Sequence, residues 1–146
     1  MSFDNLDTLY RQVIMDHYKN PRNRGKLDDQ SVTIDMNNPT CGDRIELSLS
    51  LEDGKVKDAK FEGEGCSISM SSASMMTQAI KGKTLDEVLQ MSEIFSNMML
   101  GKDVGEIDID LGDIEALQGV SKFPARIKCA TLAWKAAEKA VESERK

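Results

Sequence analysis

The order of residue patterns predicts an α+β domain: a three-stranded antiparallel sheet with an N-terminal helix and several further helices packed on one side. Three observations lead there. Helical apolar spacing at the start gives way to period-two alternation, a tight-turn dipeptide interrupts that alternation, and helical spacing then returns and persists. The 146 residues suit one domain, residues 1–146, because a chain of this size can bury most of its apolar surface around a single core.

Apolar residues at Phe3, Leu6, Leu9, Tyr10, Val13, Ile14 and Tyr18 keep the spacing of one helix face, long enough to cover the sheet. Asn20-Pro21 ends this helix, since proline disfavours a helical residue before it and lacks an amide hydrogen. His17, the single histidine, lies beside the apolar stripe and is expected to bond the following loop rather than a metal. Val32, Ile34 and Met36 alternate with polar neighbours, as do Ile45, Leu47, Leu49 and Leu51, which makes two half-buried strands. Asp53-Gly54 offers the positive-φ pair of a two-residue hairpin, so Val56 to Phe61 returns as the third strand.

After Cys66 a run rich in serine and alanine, with Ala73, Met76 and Ile80 in register, predicts a closely packed helix stopped at Gly82. Thr84-Leu-Asp-Glu87 matches a capping box and starts a helix through about Met91. Ser92 then caps a separate helix over Ile94 to Leu100, and the methionines serve as flexible core filler. Residues 102 to 112 read as a polar connection and Ile114 to Leu117 as a short helix. Pro124 opens the last helix, which buries Ile127, Ala130, Trp134, Ala137 and Val141.

No apolar run approaches the roughly 20 residues of a membrane span. The acidic, amphipathic start has no leader pattern, which gives a cytoplasmic expectation. Twenty-five acidic against 19 basic residues give a net charge of −6, which repels a phosphate backbone and argues against nucleic acid. The basic run from Lys19 to Lys26 reads as a solvated face. Three cysteines, Cys41, Cys66 and Cys129, cannot all pair, and a reducing compartment keeps them as thiols.

Each cysteine falls at an element boundary rather than mid-core. Cys41 and Asp43 flank Gly42 in the turn between the first two strands, where glycine permits the curvature that aims both groups at one point. Cys66 leaves the third strand at the same end of the sheet. Cys129 follows Pro124 near the start of the last helix, beside Arg126 and Lys128, a setting that favours the thiolate. Three thiolates and one carboxylate supply the four ligands of tetrahedral zinc, and Arg126, Lys128 or Arg44 can offset the excess negative charge. A two-iron cluster on the same residues is the rival; no nucleophile–base pair or phosphate loop supports a hydrolase.

Asp16-His17-Tyr18-Lys19-Asn20-Pro21-Arg22-Asn23-x-Gly25, Asn38-Pro39-x-Cys41-Gly42-Asp43, Gly63-x-Gly65-Cys66-x-Ile68-Ser69 and the late Cys129 resemble the IscU-like proteins of iron–sulfur cluster assembly over nearly the whole chain. Within that family the SufU branch is the nearer likeness. An extra helical stretch around Lys83 to Gly101 and Lys128, where the scaffolds carry histidine, point to it. Ser121-Lys-Phe-Pro-Ala-Arg126 stands in place of the family's chaperone-recruiting motif. The resemblance implies a SufE/NifU-like fold and a zinc protein that accepts persulfide sulfur from a pyridoxal-phosphate cysteine desulfurase of the SufS type, then passes it to downstream iron–sulfur assembly proteins. Carried over by position, the zinc ligands are Cys41, Asp43, Cys66 and Cys129, with Cys41 the sulfur acceptor and Arg126 a stabiliser of charge during transfer. A ligand supplied by the docking partner would free Cys41 to attack. The alternative implied is a scaffold on which a [2Fe-2S] cluster is built and passed to apo-proteins.

Overall fold

Helix α1 (Phe3–Lys19) precedes a sheet of three antiparallel strands, β1 (Val32–Asn38), β2 (Asp43–Glu52) and β3 (Lys55–Glu64), in the order β1-β2-β3. Helices α2 (Ser67–Ile80), α3 (Leu85–Met99) and α4 (Pro124–Arg145) follow. A computed structural model describes residues 3–25, 27, 32–38, 42–102, 114, 117, 120 and 124–145.

The hairpin forms where expected, with Asp53 at φ 56° and Gly54 at φ 74°. Beyond it a bulge between Ser50 and Leu51 shifts the pairing, and the ladder then runs to Arg44 opposite Glu64. Asn38 faces Asp43 on the other side. One end of the sheet therefore holds the first residue of β2 and the last residue of β3 side by side.

Alternation sends Ile45, Leu47 and Leu49 of β2 and Ala59 and Phe61 of β3 inward, where all are fully buried. It is α2 and α4 that cover this face; α1 packs on α2, and α3 on α4. The expectation that α1 covers the sheet is thus corrected. The physical reason is width: the small residues Ser71, Ser72, Ala73 and Ser74 make α2 narrow enough to lie on the sheet with a helix on either side. Hydroxyls fasten it there. Ser71 Oγ donates to the Ile14 carbonyl of α1 at 2.7 Å, and Ser72 Oγ donates to the Ala130 carbonyl of α4.

The segment after α1 is folded back by its own side chains. Arg22 Nη2 donates to Asp16 Oδ2 at 2.6 Å and Asn20 Nδ2 to Asp16 Oδ1 at 3.3 Å. Asn23 and Gly25 then pair onto the outer edge of β3, where Phe61 donates to the Asn23 carbonyl and accepts from the Gly25 amide.

Helix α3 begins at the capping box, with Glu87 N donating to Thr84 Oγ1 at 3.1 Å and Thr84 N to Glu87 Oε1 at 2.9 Å. It then runs without interruption to Met99, which corrects the expected break at Ser92. Ser92 is buried and its hydroxyl donates sideways to Glu138 Oε2 of α4 at 3.2 Å, so it caps nothing. Val88, Met91, Phe95 and Met98 carry the apolar face straight past it. Phe95 stacks on Trp134 of α4 with ring centroids 5.6 Å apart. Of the polar connection over 102–112, only Lys102 is among the described residues. Ile114, Leu117 and Val120 are buried and three apart, each in a tight helical turn, and the rest of that stretch lies outside the described residues.

Candidate metal centre

Asp43 stands at the head of β2 with its carboxylate turned inward and only 1% exposed. Its Oδ1 accepts the Cys66 backbone N–H at 3.0 Å, a bond that ties the start of β2 to the start of α2. The two glycines before Cys66 make this approach possible. A Cβ at Gly63, which sits at φ 148°, would collide with the Arg44 carbonyl, and one at Gly65 would collide with the Asp43 carboxylate. The Gly-x-Gly-Cys pattern is therefore a space requirement, with the second glycine leaving room for the acid.

Cys66 is the N-cap of α2, in extended conformation, and its Sγ accepts the Ser69 backbone N–H at 3.5 Å. Cys129 comes in the second turn of α4 and is fully buried. Ligand atoms of Asp43, Cys66 and Cys129 all lie within 4.8 Å of one another, and among the described residues these three form a group able to hold a metal ion. Sulfurs around a tetrahedral ion at about 2.3 Å stand about 3.8 Å apart, so modest closure brings the group to binding distance.

Asp43 Oδ2 supplies an independent test of fit. It is buried and has no hydrogen-bond partner, an expensive state for a carboxylate oxygen unless a cation or proton meets it. A buried carboxylate with an open oxygen, the buried Cys129 thiol and the half-buried Cys66 thiol suit a borderline-soft divalent ion such as zinc.

Cys41, expected as the fourth ligand, lies outside the described residues. Gly42, beside it in sequence, has φ 72° and donates its N–H to the Asn38 carbonyl at 2.8 Å. Arg126 and Lys128 are exposed on α4, Arg126 one turn before Cys129. Cys129 lies beyond the first turn, where the helix dipole acts most strongly, so Cys66 is the thiol placed at a helix start.

Arg44 faces the opposite side of the sheet from Asp43 and is engaged by Asp35, with Nη2 to Oδ2 at 2.9 Å; the Asp35 carboxyl is held below its ordinary range by that bond. Arg44 also lines a polar cleft of about 350 Å³ with Arg24, Glu46, Glu62 and Glu64. It does not serve as counter-charge at the thiols. His17 is buried, with Nδ1 2.8 Å from Ser74 Oγ, which also accepts the Arg22 N–H; the histidine thus reaches the following loop through α2. What the sequence patterns did not show is the Asp43–Cys66 link; the small residue at 65 was its only trace.

Fold and site together define a small α+β domain with a candidate metal site at one end of its sheet. The chain belongs to the family of the NifU-like N-terminal domain, whose family model matches residues 9–130. Zinc-dependent sulfurtransferase SufU of Bacillus subtilis is 73% identical over 145 residues, covering 99% of this chain and 97% of that protein. The iron–sulfur cluster assembly scaffold protein IscU of Streptococcus pyogenes is 44% identical over 142 residues, covering 97% and 88%. A solved nitrogen-fixing NifU-like protein (N-terminal) from Brucella abortus matches with a TM-score of 0.85 over 96% of this chain and 97% of that chain; at 22% identity it speaks for the fold alone.

Proposed function

We propose that this protein is a zinc-dependent sulfur acceptor of iron–sulfur cluster biogenesis. It takes persulfide sulfur from a pyridoxal-phosphate cysteine desulfurase and relays it to downstream assembly proteins in the cytoplasm. The observation that carries the reading is the gathering of Asp43, Cys66 and Cys129, whose ligand atoms lie within 4.8 Å of one another, with one buried Asp43 oxygen left without a hydrogen-bond partner. Full-length likeness to a relative named a zinc-dependent sulfurtransferase supports it.

Cys41, Asp43, Cys66 and Cys129 hold the ion. Bound zinc keeps thiols deprotonated at neutral pH and shields them from oxidation. The acceptor role comes to Cys41 from the resemblance of its Asn38-Pro39-x-Cys41-Gly42-Asp43 motif, and the fold holds its fellow ligands in place. Asp43 is tied to the Cys66 amide and packed against Gly65, Cys66 caps α2, and Cys129 is buried within α4. Cys41, two residues before Asp43 in the chain, is tethered within about 7 Å of it by covalent geometry alone.

In the transfer, the Cys41 thiolate attacks the terminal sulfur of the desulfurase persulfide. A new S–S bond forms on Cys41 as the donor's S–S bond breaks, and the donor cysteine leaves as a thiolate, so no external oxidant enters. Arg126, exposed one turn before Cys129, meets the negative charge that builds during the exchange.

Desulfurase supplied with cysteine is expected to release alanine faster when this protein is added, and to leave labelled sulfur on it. Cys41→Ala protein that accepts label at the wild-type rate would overturn the assignment. The likeness to a relative named a cluster assembly scaffold favours one second reading, a [2Fe-2S] scaffold on the same residues. Anaerobic purification separates the two: colourless protein with stoichiometric zinc supports transfer, a labile brown chromophore supports assembly.

A further inference from the structure

The buried hydroxyls of α2 share a rule with one exception. Ser71 donates to the Ile14 carbonyl, Ser72 to the Ala130 carbonyl and Thr77 to the Ser74 carbonyl, while Ser74 meets His17 and the Arg22 amide. Ser69 is fully buried and its Oγ has no partner. A buried hydroxyl in that state is retained at a cost, and its position shows what it waits for.

Cys66 is the N-cap of α2, which makes Ser69 the third helical residue. In a capping box the side chain at this position turns back to the N-cap amide, as Glu87 does at Thr84. At the start of α2 that amide is already taken by Asp43 Oδ1. The hydroxyl is therefore displaced from its ordinary role. Side chains on a helix lean toward its N-terminus and residues three apart are neighbours, so position 69 adjoins Cys66, whose sulfur already accepts the Ser69 backbone N–H at 3.5 Å. A neutral thiol is a weak acceptor, whereas a metal-bound thiolate keeps lone pairs and accepts strongly.

We propose that Ser69 is a positioning residue of the metal centre, its hydroxyl donating to the Cys66 sulfur when that sulfur is metal-bound. This rests on Cys66 being a metal ligand, as the proposed function has it. The Ser69 hydroxyl, a buried donor without another partner, then completes the hydrogen bonds to the ligand sulfur.

The probe is cobalt(II), which adopts zinc's geometry and reports on its thiolate ligands through a sulfur-to-metal charge-transfer band. Wild-type, Ser69→Ala and Ser69→Thr proteins are compared by chelator competition, by that band and by melting with and without metal. Expected for Ser69→Ala are a metal-free melting temperature equal to or above wild type, about tenfold weaker cobalt binding and a band moved to lower energy. Ser69→Thr, which keeps the donor, should restore affinity and band. Unchanged affinity and band in the alanine variant, a threonine variant that behaves like alanine, or a metal-free alanine variant that fails to fold would each overturn the proposal. Failure of wild-type protein to take up one cobalt ion would overturn the metal centre itself and this proposal with it.

Discussion

Replacing Gly65 with alanine is the most direct test of how the acid at position 43 is held. The added Cβ would stand 2.9 Å from Asp43 Cγ and 3.1 Å from its Cβ, where ordinary carbon contacts begin near 3.5 Å. Asp43 cannot retreat freely, because its backbone is bound in the β1–β2 ladder and its Oδ1 holds the Cys66 amide at 3.0 Å. Either the strain stays, at about 1–3 kcal/mol for overpacking, or the carboxylate swings out and a hydrogen bond to a charged group, about 1.5–3 kcal/mol, is lost. The expected loss is about 2 kcal/mol, a fall of about 4–8 °C in the melting temperature of a domain this size. With Asp43 and Cys66 as the proposed ligands, zinc affinity should fall by about 10–100-fold, because the displaced carboxylate is one of them and its Oδ1 holds the other. Calorimetry of metal-free and zinc-loaded protein, with chelator competition for affinity, reads both. Gly82→Ala is the control: nothing lies within 4 Å of a Cβ there, so only the strain of φ 82° is felt, about 1 kcal/mol, with zinc affinity unchanged. A Gly65→Ala protein that melts and binds zinc like wild type would refute the reasoning.

Two further outcomes follow from the same structure. Stripping the metal with a chelator should abolish sulfur acceptance while leaving the helical far-ultraviolet signal intact, since Asp43, Cys66 and Cys129 sit on elements held by the buried core; unfolding on chelation would contradict this. Acid should destabilise the metal-free protein. Hydrogen bonds from Arg22 and Arg44 hold Asp16 and Asp35 below the ordinary aspartate value of 3.8, and the Thr84 amide holds Glu87 below 4.5. These groups bind fewer protons folded than unfolded, so their contribution is complete above those ordinary values and fades as the pH drops below them. Denaturant titrations across that interval should show stability falling with pH and a shallower fall in Asp35→Asn; a steeper one would refute the assignment.

Much of the fold was legible because its signals are local. Positive φ at Asp53-Gly54, the reciprocal bonds of Thr84 and Glu87, and alternation along Ile45 to Leu51 each depend on neighbours a few residues away. Ser92 misled for the same reason: it has the chemistry of a cap, but its partner Glu138 lies 46 residues further on. The placement of α1 was hidden because its stripe specifies an apolar neighbour and not which one. At the site, residue types and boundaries announced the thiols and the acid, and three of the four fall within the described residues. The bond from the Cys66 amide to Asp43 spans 23 residues and could not be read from spacing.

The hydroxyl contact between Ser72 and the Ala130 carbonyl joins α2 to α4 one residue past Cys129, two turns along α2 from Cys66. It works like the rivet of a caliper whose jaws are the two sulfurs. Sliding one helix along the other would open or close the gap between them, so the gauge of the site is set from within the scaffold. Exchanging Ser72 would therefore offer a way to retune ion selectivity without touching any of the proposed ligands.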